Sequence, residues 1–307
     1  MPSIRNEWYC IVNPHAGSGK TMPEWETASD ILRSKSVPFV EVLTSYRAHA
    51  TKLAYEAAMD GFRRVMAVGG DGSVHEILNG IMRFCDDTHT DPSDFTLTVI
   101  PIGSGNDWIK SLGLPRDKKK IITLISAGSF SRQDIVRVET ASGRCYMANI
   151  GGVGFDSEVC VTVNQQKDQG LRNRFIYLKA LILTILNLKR SRYTVVADGQ
   201  TVFDGEGYSI AFGNGRYSGG GMRQVPLSEI DDGLLDYMIV PCVSLPRIAR
   251  ELPRLFNGHI DRATCLKMGK CREISVRGEG VVEVDGEVKG ALPLHITMTG
   301  QQINVLK

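Results

Sequence analysis

The sequence of 307 residues has little of several features that would assign it to a protein class at once. Its seven cysteines include no Cys-x-x-Cys pair, so we expect no metal or redox role for them and interpret them as reduced thiols packed as small hydrophobic side chains. The N-terminus has no basic segment followed by an apolar one, so we expect no secretion. The longest apolar stretch, residues 175–188, is shorter than the about 20 residues that a membrane-spanning helix needs.

An excess of charge of one sign is also missing. The 36 lysines and arginines stand against 34 aspartates and glutamates, and the net charge of +2 gives no electrostatic argument for binding nucleic acid. Glycine, by contrast, is abundant at 32 residues and is concentrated in a few clusters. A hydrophobic fraction of 42% is ordinary for a globular protein, and the length suits two domains.

Short apolar runs alternate with helical segments over the first 130 residues. The strand-like runs are residues 9–12, 39–43, 65–68 and 96–100, and helical segments occupy the intervals between them. This alternation predicts an α/β domain whose parallel sheet carries helices on both faces. In such sheets, ligands bind at the carboxyl ends of the strands.

From about residue 136 the runs become short, β-branched and bounded by glycine, aspartate or proline. They predict a β-rich, antiparallel second domain with helices at 173–189 and 245–256. Two late strands, 295–298 and 303–305, are expected to return to the first domain. The predicted domains are therefore 1–133 with about 294–307, and 134–293.

The first glycine cluster, residues 12–21, follows a predicted strand. Its end, Gly19-Lys20-Thr21, matches the end of a Walker A motif, but that motif needs a glycine where Pro14 stands. What remains is either an ordinary Asn-Pro turn or a turn whose backbone N–H groups approach a phosphate.

Two further clusters also begin where strands end. One is Gly-Gly-Asp-Gly at residues 69–72, and the other is Gly-Ser-Gly-Asn-Asp at residues 103–107. Glycine turns offer unobstructed amides to phosphate oxygens, and Asp71 and Asp107 add carboxylates that suit magnesium. Because the two clusters follow neighbouring strands, we expect a metal–nucleotide site rather than two unrelated tight turns.

The second half contains a glycine-rich segment at 213–221, an acidic turn at 229–236 and the sequence Asp285-Gly286-Glu287. The glycine-rich segment lacks the following helix that a dinucleotide fingerprint requires. The acidic turn is compatible with a divalent cation or with an ordinary solvated turn. Asp-Gly is also a strong hairpin signal, so a structural role for Asp285 and Gly286 competes with a catalytic one.

Taken together, these segments resemble the diacylglycerol kinase catalytic-domain family, which includes bacterial diacylglycerol kinases, sphingosine kinases and ceramide kinases. The resemblance covers nearly the whole chain. It implies a three-layer α/β nucleotide-binding domain, a β-sandwich-like second domain and transfer of the γ-phosphoryl group of ATP to a lipid hydroxyl with Mg²⁺. Ser73 stands where threonine is commoner, and His75 stands where bacterial members often have asparagine.

The resemblance also implies roles for individual residues. Glu287 corresponds to the base that accepts the hydroxyl proton, and Asp285 to its acidic partner. Since phosphoryl transfer needs magnesium to offset charge, we take Asp71 as a further catalytic carboxylate that holds the nucleotide magnesium together with Asp107. A second, mainly structural magnesium site corresponds to Glu229, Asp232 and Leu234, the first and last through main-chain oxygens. The nucleotide contacts correspond to Asn13, Pro14, His15, Ala16, Gly17, Thr44, Gly70, Asp71, Gly72, Ser73, Val74, His75, Glu76 and Ser104, and we add Asn106 and Asp107.

We therefore predict a lipid kinase acting on diacylglycerol, a long-chain base or another lipid alcohol. An NAD kinase-like enzyme and a catalytically inactive lipid-binding protein are the alternatives. We expect a cytoplasmic protein that docks on the inner membrane face, since residues 167–192 carry seven basic side chains and one acidic one around the apolar stretch. No nucleic-acid partner is expected, and a homodimer is left open.

Overall fold

The computed structural model describes residues 3–103, 105–168 and 189–307. The chain divides into two compact units, the first ending at Ile135 and including Gly300–Lys307, the second spanning Val136–Thr299. The α/β character of the first unit and the β-rich character of the second confirm the predicted fold class.

The sheet of the first unit is parallel. Its strands are β1 (Arg5–Val12), β2 (Phe39–Leu43), β3 (Phe62–Gly69) and β4 (Thr96–Pro101), in the spatial order β2-β1-β3-β4. The C-terminal part of β17 (Leu294–Leu306) pairs with β4 in the same direction. β3 and the second half of β1 are largely buried, because parallel strands covered on both faces are built from continuous apolar runs.

The strand order places the helices and the expected ligand site. The chain passes from β1 outward to β2, and from β3 outward to β4 on the other side. Since β-α-β crossovers are right-handed, the first crossover helix lies on one face and the next two on the other. The crevice where the direction reverses lies between the carboxyl ends of β1 and β3, which is where open α/β sheets bind ligands.

Four helices of the first unit pack in pairs. Counted in chain order, the first packs against the fifth and the second against the third. Gly80 permits the second pair to approach closely, because a Cβ there would collide with the carbonyl oxygen of Thr51. In chain order the helices are α1 (Thr21–Ser34), α2 (His49–Met59), α3 (Asp71–Thr88), α4 (Asp107–Ser111) and α5 (Lys118–Ala127).

The second unit is built on antiparallel strands around a core that includes Tyr193, Phe212 and Ile296. Its long central strand β9 pairs with three neighbours, β7, β8 and β12. The strands are β5 (Phe130–Thr140), shared with the first unit, β6 (Gly143–Met147), β7 (Ile150–Gly154), β8 (Ser191–Ala197), β9 (Gln200–Gly213), β10 (Tyr217–Ser218), β11 (Met222–Arg223), β12 (Leu235–Pro241), β13 (Lys267–Cys271), β14 (Glu273–Gly278), β15 (Val281–Val284), β16 (Glu287–Ala291) and β17.

The second unit also contains the helices α6 (Phe155–Asp168) and α7 (Leu245–Asn257). The latter agrees with the prediction at 245–256, whereas most of the predicted helix at 173–189 lies outside the described residues. Within the described residues, no helix is long and apolar enough to cross a membrane. The two late strands predicted at 295–298 and 303–305 form one continuous strand, β17.

Candidate active site

Three loops meet at the carboxyl edge of the parallel sheet. The loop after β3 lies against the loop after β4, where the N–H of Ile102 donates to the carbonyl of Gly69 at 2.8 Å. The loop after β1 reaches both, since Asn13 lies beside Gly69 and Gly17 lies beside Ile102. The two glycine turns predicted to follow neighbouring strands are thus side by side.

Close backbone packing explains why these turns need glycine. A Cβ on Gly103 would lie 2.7 Å from the Cα of Gly70 and 2.8 Å from Oδ1 of Asn106. Gly17 has a φ of +55°, and a Cβ there would collide with the carbonyl oxygen of Ile102. The loops therefore pack backbone to backbone, which no larger residue permits.

Asp71 and Asp107 face the same space above Gly105. A Cβ on Gly105 would lie 3.0 Å from Oδ2 of Asp71 and 3.4 Å from Oδ2 of Asp107. The other oxygen of each carboxylate is held in place: Oδ1 of Asp71 accepts from the N–H of Trp108 at 2.9 Å, and Oδ1 of Asp107 lies 2.7 Å from the ammonium of Lys110. The two predicted metal-linked carboxylates are therefore brought together.

Positive charge also reaches this loop. Arg116 donates to the carbonyl of Gly105, and Lys110 is largely buried beside Asp107. Asn106 has a φ of 50°, and its buried Oδ1 has no hydrogen-bond partner among the described residues. No motif predicted Lys110 and Arg116. They follow Asp107 by only three and nine residues, so either side chain can fold back onto the loop. Ser104 lies outside the described residues.

The loop after β1 is shaped by its own side chains. Oδ1 of Asn13 accepts from the N–H of His15 at 3.0 Å, and the hydroxyl of Thr21 donates to the carbonyl of Ala16 at 2.8 Å. Thr44 is buried at the end of β2, where its N–H donates to the carbonyl of Val12. These contacts fix the backbone of a turn that can present N–H groups to an anion.

Glu76, predicted as a nucleotide contact, accepts two backbone hydrogen bonds in the structure. Its two carboxylate oxygens accept from the N–H groups of Ala48 and Ala50, each at 3.1 Å. It therefore caps the first turn of α2, whose N-cap Ala48 offers no side-chain acceptor. Ser73, Val74 and His75, also predicted as nucleotide contacts, are buried in the first turns of α3.

In the second unit, Asp285 and Gly286 form the turn of the β15–β16 hairpin. Both have positive φ, 52° and 82°, as in the two-residue hairpin turns that favour Asp-Gly. The carboxylate of Asp285 accepts from the N–H groups of Ala148 and Asn149, each at 2.8 Å. Asp285 thus anchors the turn, and Glu287, the first residue of β16, follows directly on this anchor.

Glu283 and Cys160 also contact the turn of this hairpin, and no motif predicted either of them. The buried carboxylate of Glu283 accepts from the N–H of Gly286 at 2.9 Å, and the thiol of Cys160 on α6 lies 3.0 Å from the carbonyl oxygen of Gly286. Asn149 ties the same region to the glycine-rich segment, since its carbonyl accepts from the N–H groups of Asn214 and Gly215. The contacts of Cys160 and Asn149 join residues far apart in the chain, which no sequence pattern marks.

The acidic turn before β12 holds an ion pair. Asp232 accepts from the N–H of Leu234 at 3.0 Å through Oδ1, and its Oδ2 lies 2.6 Å from the ammonium of Lys270. The same ammonium lies 3.5 Å from Oδ2 of the buried Asp236. Burial raises the pKa of Asp236 to about 6, an effect that the neighbouring Lys270 partly offsets. The side chain of Glu229 is exposed.

Among the described residues, no cysteine forms a disulfide, and Cys10, Cys85, Cys265 and Cys271 are buried. Burial raises the pKa of Cys85, of Cys145 and of Cys271 to about 12, so these thiols stay protonated at neutral pH. Within the described part of the chain, no three His, Cys, Asp or Glu side chains gather into a metal site.

Two family models together match nearly the whole chain. The diacylglycerol kinase catalytic domain matches residues 7–138, and the YegS C-terminal NAD kinase beta sandwich-like domain matches residues 150–307. The chain belongs to the diacylglycerol kinase catalytic-domain family. The resemblance stated from the motifs is thereby confirmed, and the two models correspond to the α/β and β-rich halves of the chain.

Relatives and solved structures agree with this assignment. A probable lipid kinase YegS-like protein of Xanthomonas campestris is 30% identical, over 82% of this chain and 79% of its own, and a diacylglycerol kinase of Mycobacterium tuberculosis is 26% identical over 97% and 94%. A putative diacylglycerol kinase from Bacillus anthracis shares the fold with a TM-score of 0.78 at 24% identity, covering 98% and 97% of the two chains. An NAD kinase from Archaeoglobus fulgidus is a more distant structural neighbour, with a TM-score of 0.51 at 12% identity over 98% and 93%.

Proposed function

We propose that the protein is an ATP-dependent lipid kinase that transfers the γ-phosphoryl group to the hydroxyl of diacylglycerol, a long-chain base or a related lipid alcohol. The observation that carries this proposal is the meeting of three glycine-containing loops at the sheet's switch point, with Asp71 and Asp107 directed over Gly105. Phosphoryl transfer depends mainly on positioning and on offsetting charge, which backbone amides and fixed carboxylates can supply.

The donor set above Gly105 fits a magnesium ion. Mg²⁺ is commonly held by one or two carboxylates together with phosphate oxygens, and here Asp71 and Asp107 each direct Oδ2 to one space. Bound there with ATP, the ion would offset the charge on the phosphates. Trp108 and Lys110 keep the two carboxylates in this arrangement through the opposite oxygens.

Glu287 is the proposed base of the reaction. The lipid oxygen forms a bond to the γ-phosphorus while the bond to the β,γ-bridging oxygen breaks, so that ADP leaves and the hydroxyl proton passes to Glu287. Asp285 is a positioning residue in this proposal, because its carboxylate is engaged by the N–H groups of Ala148 and Asn149. The remaining phosphate contacts are assigned to the loops after β1, β3 and β4.

The decisive experiment incubates the purified protein with labelled ATP and a total lipid extract and identifies the labelled product by mass spectrometry. We expect a phosphorylated lipid, and a loss of 100-fold or more in turnover for Glu287→Gln, the usual size of a positioned base's contribution. Glu273→Gln, at an exposed glutamate of the same unit, serves as the control. Labelling of NAD instead would favour the NAD kinase alternative, and absence of any turnover would favour the inactive lipid-binding protein.

We also propose that the protein works in the cytoplasm and docks on the inner membrane face. The predicted docking stretch lies largely outside the described residues, but its end is described and basic. Arg190 and Arg192 line a cavity of about 400 Å³ together with Arg277, which suits the phosphate of an anionic head group. The other lining residues are Ser191, Thr194, Gly278 and Glu279.

Sedimentation with vesicles tests this docking. Binding is expected to rise with anionic lipid, to fall with salt and to weaken in the double variant Arg190→Gln/Arg277→Gln. Arg272→Gln, at an exposed arginine of the same unit, is the matched control. Equal binding to neutral and anionic vesicles would contradict the proposal, as would no binding to either.

A further inference from the structure

We propose that the ammonium of Lys270 takes the place of the divalent cation expected at the acidic turn before β12, so that the second unit is held together there without a metal. The family resemblance assigns one side-chain ligand to that cation, the carboxylate of Asp232. Both oxygens of this carboxylate are engaged in the structure. Oδ1 accepts from the N–H of Leu234 at 3.0 Å, and Oδ2 lies 2.6 Å from the ammonium of Lys270.

The position of Lys270 is set by strand register. β12 and β13 are antiparallel, and Lys270 lies directly opposite Asp236. Paired residues of this kind have Cβ atoms about 5 Å apart, so the long lysine side chain passes Asp236 and reaches the turn that precedes β12. Its ammonium is 3.5 Å from Oδ2 of Asp236 and contacts Asp232 at its tip.

The charge balance of this cluster favours a fixed cation. The side chain of Asp236 is 9% exposed and that of Asp232 is 21% exposed, so two poorly solvated carboxylates lie on either side of one ammonium. A buried carboxylate requires a compensating partner. Lys270 supplies a covalently attached partner, and a divalent cation would have to displace it from the oxygen of Asp232 that it already contacts.

The same cluster adjoins the glycine-rich segment at 213–221, because Asp236 lies directly opposite Gly213 of β9. The hydroxyl of Ser228 donates to the carbonyl of Gly213 at 3.0 Å, and the guanidinium of Arg216 donates to the carbonyl of Ser228 at 2.6 Å. Loss of the ammonium should therefore loosen both the acidic turn and the end of β9. The consequence is a difference in stability that does not depend on ATP or lipid.

Thermal unfolding with chelator and with added divalent cation tests the proposal. All arms use the Asp71→Asn background, so that cation binding at the first unit's carboxylates does not contribute. The parent Tm is expected to be the same in EDTA, Mg²⁺ and Ca²⁺. Lys270→Met is expected to lower the Tm in EDTA by roughly 5 °C, and Mg²⁺ or Ca²⁺ should recover part of that loss, because two carboxylates are then left without their ammonium.

Lys267→Met is the matched control, since this lysine lies on the same strand and its ammonium is 3.3 Å from the carbonyl oxygen of Val202. A Tm of the parent that falls in EDTA and returns with a divalent cation would overturn the proposal in favour of a metal site. So would a Lys270→Met variant with the parent's Tm. If Lys270→Met does not fold, the parent's response to chelator still decides, and Lys270→Arg should fold with a Tm insensitive to EDTA.

Discussion

The two units hold their functional turns in opposite ways. In the first unit, the loops after the strands pack backbone to backbone through glycines, as where Gly103 lies against Gly70. In the second unit, turns are clamped by carboxylates that accept backbone N–H groups. Asp285 accepts from Ala148 and Asn149, and Asp198 accepts from Arg272 and Glu273 at 2.9 and 3.0 Å.

The difference follows from what each set of turns must do. A loop that is proposed to bind phosphates needs exposed N–H groups, which glycine turns supply. A hairpin that is proposed to hold a base has no such restriction, and a carboxylate that accepts two N–H groups fixes its backbone firmly. Disrupting the glycine packing and disrupting a carboxylate clamp should therefore change stability and activity in different ways.

Loss of the Asp285 clamp is expected to have the largest effect. Asp285→Ala leaves the N–H groups of the buried Ala148 and Asn149 without their acceptor. It also puts alanine at a φ of 52°, in the left-handed region that aspartate tolerates better. We expect the free energy of unfolding to fall by about 2 to 5 kcal/mol, as for buried donors left unsatisfied. Turnover should fall as well, since the turn that carries Glu287 is no longer fixed.

Asp285→Asn distinguishes the hydrogen bonds that Asp285 accepts from the effect of its negative charge. Asparagine tolerates positive φ and retains one acceptor oxygen, so it should recover part of the stability lost in Asp285→Ala. Urea unfolding and turnover measured on both variants check this. Equal stability of the parent and Asp285→Ala would mean that the two hydrogen bonds do not hold the hairpin.

Much of this arrangement was predictable from local sequence. The four strands β1 to β4 were found, and β3 and β4 show why, since parallel strands buried on both faces leave continuous apolar runs. The glycine turns at 69–72 and 103–107 lie at neighbouring strand ends as expected, because parallel strands direct their carboxyl ends to one edge of the sheet. The Asp-Gly pair at 285–286 forms the hairpin that this dipeptide favours.

What the sequence did not predict depends on contacts between distant residues. Glu76 stands within the glycine motif, yet its carboxylate caps α2, because the fold brings Ala48 and Ala50 to it. Lys270 reaches Asp232 only through the register of β12 and β13. Strands such as β6 and β13 also escaped prediction, since their short runs are interrupted by glycine and charged residues.

Breaking the glycine contact of the first unit is expected to have the next largest effect. Gly103→Ala places a Cβ 2.7 Å from the Cα of Gly70, where the collision is with backbone. We expect a loss of about 1 to 3 kcal/mol in the free energy of unfolding, as for other overpacked sites. The affinity for ATP should fall as well, because the two loops are pushed apart.

Gly72→Ala is the matched control for Gly103→Ala. It lies in the first turn of α3, and the described residues leave open space around its Cβ position. Alanine there should raise stability slightly, by about 0.5 kcal/mol, because glycine is the poorer helix former. If both variants lose the same stability in urea unfolding, close packing does not explain the need for glycine at position 103.

Changes at Glu76 are expected to have the smallest effect on stability. Glu76 accepts backbone N–H groups, as Asp285 does in the second unit, but it lies in the glycine motif of the first unit. Glu76→Ala removes the acceptors of Ala48 and Ala50 N–H groups at the start of α2 and should cost about 1 kcal/mol, the usual value of a helix cap. Glu76→Gln keeps one acceptor and should lose less, whereas Glu26→Ala, at an exposed position of α1, should change stability little. The KM for ATP distinguishes capping from nucleotide contact. Capping alone predicts that Glu76→Gln leaves KM near the parent's value, and a tenfold rise in KM at unchanged stability would instead place Glu76 among the nucleotide contacts.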